Sequence, residues 1–134
     1  MGSDFEIAIK VAPHHIQWET MLWAAMYADA NPVYSDFWNF DHFYPIYGES
    51  SGPCLESWVT LSAIAQATSR IRVGCMVNGV HYRHPAVVAN MASGLDIISG
   101  GRFELGLGAG WNEEESGAYG IYLGSLNERF NRFD

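Results

Sequence analysis

Apolar and polar residues alternate at the start of the chain: Phe5, Ile7, Ile9 and Val11 are interleaved with Glu6, Ala8, Lys10 and Ala12. A period of two is that of a strand with one face turned inward. The period then lengthens. Trp18, Met21, Leu22 and Ala25 recur at helical spacing, and Asn31-Pro32 closes that helix, since proline biases the residue before it away from the helical conformation. Residues 34 to 40 predict a second, aromatic strand running into Asp41-His42-Phe43, followed by a loop rich in Tyr, Gly, Ser and Pro over residues 44 to 53. That is long for a strand-to-helix connection, and long loops are more often functional than short ones. Leu55, Trp58, Val59, Leu61, Ile64 and Ala65 predict a second helix, with Gly52-Pro53 before it and Glu56 in its first turn. Ile71, Val73, Cys75 and Val77 read as a third strand. His84-Pro85 opens a third helix with the stripe Val88, Met91, Leu95 and Ile98, and Gly100-Gly101 closes it. Phe103 to Gly108 is the fourth strand, and Leu126, Phe130 and Phe133 begin a further helical stripe in which the sequence stops.

One strand and one helix per about thirty residues, in strict alternation, predicts an α/β fold with a parallel sheet and right-handed crossovers. A doubly wound sheet and part of an eight-fold barrel both satisfy the pattern. A complete barrel needs roughly 250 residues, so a chain of 134 residues supplies four units of eight. The stop inside a helical stripe favours the fragment reading, and the expected fold is the first four strand-helix units of a TIM (β/α)8 barrel, a truncated parallel sheet. Residues 1–134 show no linker, low-complexity segment or composition shift, which predicts one N-terminal half of a single barrel domain. Its outer strands would have unpaired edges, which invite self-association.

Composition narrows the function. The chain is 49% hydrophobic, and fifteen acidic against seven basic residues leave a net charge of −8. Such a surface repels phosphate backbones and anionic lipid, so neither nucleic acid nor membrane is an expected partner. The apolar runs are too short to cross a bilayer. The N-terminus has acidic residues where a secretory signal has none, and Cys54 and Cys75 match neither a disulfide framework nor a metal-ligand spacing. A reducing cytoplasm is the expected compartment.

The densest signal is Gly100-Gly101-Arg102-Phe103-Glu104-Leu105-Gly106-Leu107-Gly108-Ala109-Gly110-Trp111-Asn112-Glu113-Glu114-Glu115. It reads as a helix stop, a short strand, a glycine-lined strand end and an acidic helix start. Gly106, Gly108 and Gly110 share one parity, so one face is bare backbone. Either a ligand lies close there, or the barrel packs tightly. The run is no dinucleotide fingerprint, because Trp111 stands where the third glycine belongs. Glu113, Glu114 and Glu115 read as a solvated helix start favoured by the helix dipole. His81 and His84 with Asp41 or Glu113 lack the spacing of a metal site, and no metal is expected. Arg83 and His84 are expected to cap the third helix or line the mouth.

Asp41-His42-Phe43 after an aromatic strand, Arg70-Ile71-Arg72-Val73-Gly74, Tyr82-Arg83-His84-Pro85-Ala86 and the Gly100–Glu115 block stand in the order seen in one family. The chain resembles the luciferase-like monooxygenase superfamily, and more narrowly its deazaflavin- (coenzyme F-420-) dependent oxidoreductase branch. The resemblance covers nearly the whole chain but only the N-terminal half of the family's domain. It implies an eight-stranded parallel barrel with the cofactor at the C-terminal mouth.

It also implies site residues. His42 would be a proton donor or electrostatic stabiliser beside the reactive ring, and Asp41 its orienting partner or a ring contact. A helix-capping Asp and a half-buried His is the alternative. Met76, Val77 and Asn78 would support the back of the ring, with a cis peptide at Met76-Val77 as some members have, or an ordinary trans strand end. The backbone of Ala109 and Gly110 would approach the ring, and Trp111 stands where some deazaflavin enzymes place a catalytic Glu, which argues against sugar-phosphate dehydrogenation. Phe43, Tyr82 and Trp111 would wall the substrate pocket. The implied cofactor is coenzyme F-420 or FMN, the partner a small organic molecule, and the full-length assembly a homo-oligomer, a dimer. The implied function is hydride transfer to or from that molecule. The alternatives are an FMN-dependent monooxygenase using reduced flavin and oxygen, and a non-catalytic half-barrel fragment or accessory subunit. Phosphate-binding groups are expected from the loops after the seventh and eighth strands, so the 134 residues alone are expected to be inactive.

Overall fold

The computed structural model describes residues 5–133. Its elements run β1 (Ile7–Lys10), α1 (Trp18–Ala30), β2 (Tyr34–Asn39), α2 (Ser57–Ala67), β3 (Arg72–Gly79), α3 (Pro85–Ser99), β4 (Phe103–Gly108), α4 (Glu113–Ala118) and α5 (Leu126–Asn131). The strands form one sheet in the order β1-β2-β3-β4, and every neighbouring pair is parallel. Chain order equals spatial order, so each helix returns the chain from the end of one strand to the start of its neighbour. That winding is four consecutive units of a (β/α)8 barrel.

The core lies between the sheet and its helices. Met21, Ala25 and Ala28 of α1, Leu61 and Ile64 of α2 and Leu95 of α3 close on Phe37 of β2 and on Val73 and Cys75 of β3. Leu61 and Ile64 are fully buried, each contributing about 2 kcal/mol from apolar burial. The opposite strand face carries Trp38, whose ring occupies the space a side chain at Gly74 would need.

Helix ends are held by the strand starts that follow them. α1 and α2 have no basic residue in their last turns, which leaves terminal carbonyls to be satisfied from elsewhere. Arg70 donates to the carbonyls of Ala28 (2.6 Å) and Asn31 (3.0 Å), and Arg102 to those of Ala65 (2.7 Å) and Thr68 (3.0 Å). These anchors lie at the N-terminal ends of β3 and β4, away from the site.

Boundaries differ in a few places. β1 is four residues long, although Val11 extends its pairing by donating to the Trp38 carbonyl (2.9 Å). Leu55 and Glu56 precede α2: the Leu55 amide bonds to Pro13, and the Glu56 carboxylate caps the helix through the Val59 amide (2.6 Å). Val59 does not join the buried stripe; it is 69% exposed, about 100° around the helix from Trp58. Ile98 is likewise exposed, because the stripe drifts around α3 over its length. α5 ends at Asn131, and Asp134 lies outside the described residues.

Gly106 and Gly108 answer the question of the bare face. The register of β3 against β4 shifts between Cys75 and Asn78, and the Met76-Val77 peptide is cis. A side chain at Gly106 would overlap the Cys75 carbonyl, and one at Gly108 the Val77 side chain. Both glycines make room for the bulge of β3.

Candidate active site

Parallel strands gather their C-terminal ends on one rim, and the chemistry-bearing residues collect there. β2 delivers Phe40, Asp41 and His42; β3 delivers Met76, Val77 and Gly79 and then Tyr82; β4 delivers Gly110 and Trp111. With Lys10 at the end of β1, these residues line an open cavity of about 320 Å³.

The carboxylate that holds His42 is Glu115, in the first turn of α4. Asn112 caps that helix by accepting from the Glu115 amide (3.1 Å) and is itself buried. The cap turns Glu115 inward, where its side chain is fully buried. One carboxylate oxygen accepts from the Phe43 amide (2.7 Å); the other contacts His42 Nδ1 at 2.7 Å and accepts from the Tyr82 hydroxyl. Burial alone would raise the Glu115 carboxyl, but the hydrogen bonds from His42, Tyr82 and the Phe43 amide prevail and hold it below the usual glutamate range. Burial and the neighbouring Glu115 push the Tyr82 phenol well above its ordinary value, so Tyr82 remains a donor. With Nδ1 committed to Glu115, Nε2 is the ring nitrogen without a partner among the described residues. The Phe40 and Trp111 rings flank the imidazole, each with its centroid 5.7 Å away.

Asp41 does not orient His42. Its buried carboxylate pairs two-pronged with Arg83, at 2.6 Å and 3.1 Å, and Arg83 also reaches Glu56 at 2.7 Å. The fork-to-fork geometry aims both Asp41 oxygens at the guanidinium, and neither bonds to the imidazole. Burial pushes the Asp41 carboxyl upward against the pull of Arg83. His84 caps α3 through the Ala86 amide.

Two further histidines surround the site as neutral groups. His14 accepts from the Ile46 amide through Nδ1 (3.2 Å), while both nitrogens of His81 are buried without partners among the described residues. Burial pushes each to about 4, aided at His14 by the charges of His42 and His15 and at His81 by Arg132.

The rim therefore brings together His42, Asp41, Met76, Val77, Gly110, Tyr82 and Trp111. Three other predicted residues stand back from the cavity. Phe43 packs on Tyr82 with ring centroids 4.7 Å apart and lines a neighbouring hollow. Asn78 is buried and ties β3 to β4 by donating to the Gly106 carbonyl (2.9 Å). Ala109 does not line the cavity either. Gly110 adopts a positive φ of 78°, and His81 fills the space over its Cα.

Sequence reasoning missed Glu115 and Lys10. Glu113-Glu114-Glu115 reads as one solvated run, and Glu113 and Glu114 are indeed exposed. The spacing Asn112-x-x-Glu115 was the available signal, because a capping Asn places the third helical residue at a defined position. Among the described residues no group of three or more His, Cys, Asp or Glu could hold a metal ion, and no helix is long and apolar enough to cross a membrane.

A family model described as luciferase-like monooxygenase matches residues 10–134. The chain is 41% identical over 78 residues to the pyrimidine monooxygenase RutA of Enterobacter sp., covering 58% of this chain and 21% of that protein. It is 36% identical over 96 residues to the F420-dependent hydroxymycolic acid dehydrogenase of Mycobacterium tuberculosis, covering 71% and 26%. A solved F420-dependent secondary alcohol dehydrogenase, in complex with an F420-acetone adduct, superimposes with a TM-score of 0.82 at 23% identity, over 95% of this chain and 38% of that one. The chain thus spans a fifth to a quarter of the length of these curated relatives, 21% and 26%.

Proposed function

The chain belongs to the luciferase-like monooxygenase family, and from that premise we propose that it forms the His42-bearing half of a barrel oxidoreductase that uses a deazaflavin of the coenzyme F-420 type. Its substrate is a small organic molecule that gives or takes a hydride. The observation that carries this reading is the fixed imidazole of His42 at an open cavity, with Nδ1 held by Glu115 at 2.7 Å.

The residues present fit a flat ring system. Met76 and Val77 are 45% and 43% exposed and Trp111 63%, all three on the cavity wall. Exposed apolar groups concentrated at a concave site mark a place where apolar surface docks. Met76 and Val77 would support one side of the ring, and Gly110 and Trp111 would border its edge. When bound, the deazaflavin supplies hydride exchange. His42 moves the accompanying proton: oxidation of an alcohol releases the hydroxyl proton to Nε2, and carbonyl reduction returns it from the same atom. Glu115 holds the imidazole in place through Nδ1, and the Phe40 and Trp111 rings flank it.

Identity of 41% to a protein named as a monooxygenase favours a second reading, oxygen activation with reduced FMN. Mixing the full-length protein with each reduced cofactor and following its oxidation, with and without oxygen, separates the two. Substrate-dependent oxidation of the deazaflavin without oxygen is the expected result. Oxidation of FMN that requires both substrate and oxygen would replace the first reading with the second.

A further inference from the structure

The cavity holds one cation that nothing in the described residues neutralises. Of the seven basic side chains of the sequence, Lys10 is the single lysine. Each arginine donates to an acid or to a backbone carbonyl. Lys10 makes no hydrogen bond or ion pair with any described residue; its ammonium lies 5.4 Å from the centroid of the Phe40 ring. It stands at the C-terminal end of β1, on the face opposite Ile9 and Val11, which pack toward the helices. It lines the same cavity as His42, and the Phe40 ring between them is 5.7 Å from the imidazole.

The acids near the cavity are already matched. Asp41 is paired with Arg83, and Glu115 with His42 and Tyr82. A chain of net charge −8 therefore presents an ammonium without a partner among the described residues to the space where a ligand would stand. The aromatic walls Phe40, Tyr47, Tyr82 and Trp111 suit a ring or an apolar body, and about 320 Å³ suits a small molecule.

We infer that this cavity takes a small organic molecule carrying an anionic group, a carboxylate, sulfonate or phosphate, which pairs with Lys10 while the body of the molecule lies along Phe40 toward His42. The placement of the reacting end at His42 rests on the oxidoreductase reading; the binding of the anionic end does not. An anionic cofactor ring would present the same chemistry to Lys10, so the test must separate the two sources.

The test uses the full-length protein, calorimetric titration at low ionic strength, and two probes of one shape, benzoate and benzamide. Benzoate is expected to bind more tightly than benzamide and to weaken with added salt. Lys10→Met should weaken benzoate about 10-fold, the usual scale of a charge-assisted contact, leave benzamide within about twofold, and leave the melting temperature unchanged because Lys10 is exposed. Lys10→Arg should retain most of the benzoate affinity. Equal binding of the two probes to the wild type, or benzoate binding indifferent to Lys10→Met, overturns the inference. Loss of deazaflavin or FMN affinity in Lys10→Met with benzoate unaffected also overturns it, and gives Lys10 to the cofactor. No turnover is measured, so failure of the redox assignment would not be mistaken for failure here.

Discussion

His42 and Glu115 stand 73 positions apart in the chain and 2.7 Å apart in space. The contact joins the end of β2 to the first turn of α4 and occupies Nδ1 of the imidazole. It also serves stability, since the same carboxylate holds the Phe43 amide and the Tyr82 hydroxyl.

Glu115→Ala leaves those three groups without their acceptor in a buried place. Unmet buried donors cost about 1–3 kcal/mol each before relaxation, and we expect about 3 kcal/mol of lost stability, read from urea unfolding midpoints. Glu115→Gln keeps the shape but turns an amide N–H toward one of the donors, so about half that loss is expected. A midpoint unchanged in Glu115→Ala would mean that the carboxylate anchors nothing.

His42→Ala should lose about 1 kcal/mol of stability with its Glu115 contact, yet stay folded and keep its cofactor affinity while slowing turnover by about 100-fold or more, the usual scale for a general acid or base. Single-turnover kinetics and a cofactor titration on the same sample separate the two effects. Wild-type turnover in this variant removes His42 from the proton transfer.

Stability should fall as the solution is acidified, in two stages. His14 and His81 titrate at about 4 in the folded chain and near 6.5 when unfolded. The unfolded state therefore binds protons first, and their stabilisation at neutral pH is lost as pH drops from about 6.5 toward 4, on the order of 2 kcal/mol per histidine by pH 5. Glu115 acts lower. Its folded carboxyl titrates below the ordinary range, so its contribution is present above about 4.3 and disappears as pH falls through the folded value. Urea unfolding at pH 7.5, 5 and 3.5 measures both stages, and a flat profile between 7.5 and 5 would contradict the neutral, buried state of the two histidines.

Two glycines should respond oppositely to alanine. Gly94 lies within α3 with open space where a methyl group would go, so Gly94→Ala should stabilise by about 0.5–1 kcal/mol through helix propensity. At Gly106 the same methyl group would overlap the Cys75 carbonyl, and backbone cannot yield as a flexible side chain does. Gly106→Ala should lower the melting temperature by about 5 °C or more, since 1 kcal/mol shifts a domain of this size by several degrees. Thermal melts of both variants beside the wild type decide it.

Much of the architecture was legible because it is periodic. Alternation at Ile7–Lys10, the helical stripe through Met21 and Ala25, and the stop at Gly100-Gly101 are local properties that repeat along the backbone. The order of those elements by itself determined a parallel sheet whose strand ends share one rim, and the ordered motifs placed the chain in its family. Placing His42, Tyr82 and Trp111 on that rim followed from the same logic, since strand ends in a parallel sheet share a side.

What only the tertiary structure decided is which charges meet. Asp41 is adjacent to His42 in sequence yet turns to Arg83, while Glu115, one of three consecutive glutamates, alone turns inward. Neighbours along an extended backbone point to opposite faces, and a helix end presents its residues in different directions, so sequence proximity says little about pairing. Partners are set by the angle at which separate β/α units pack, and that angle is a property of the assembled core.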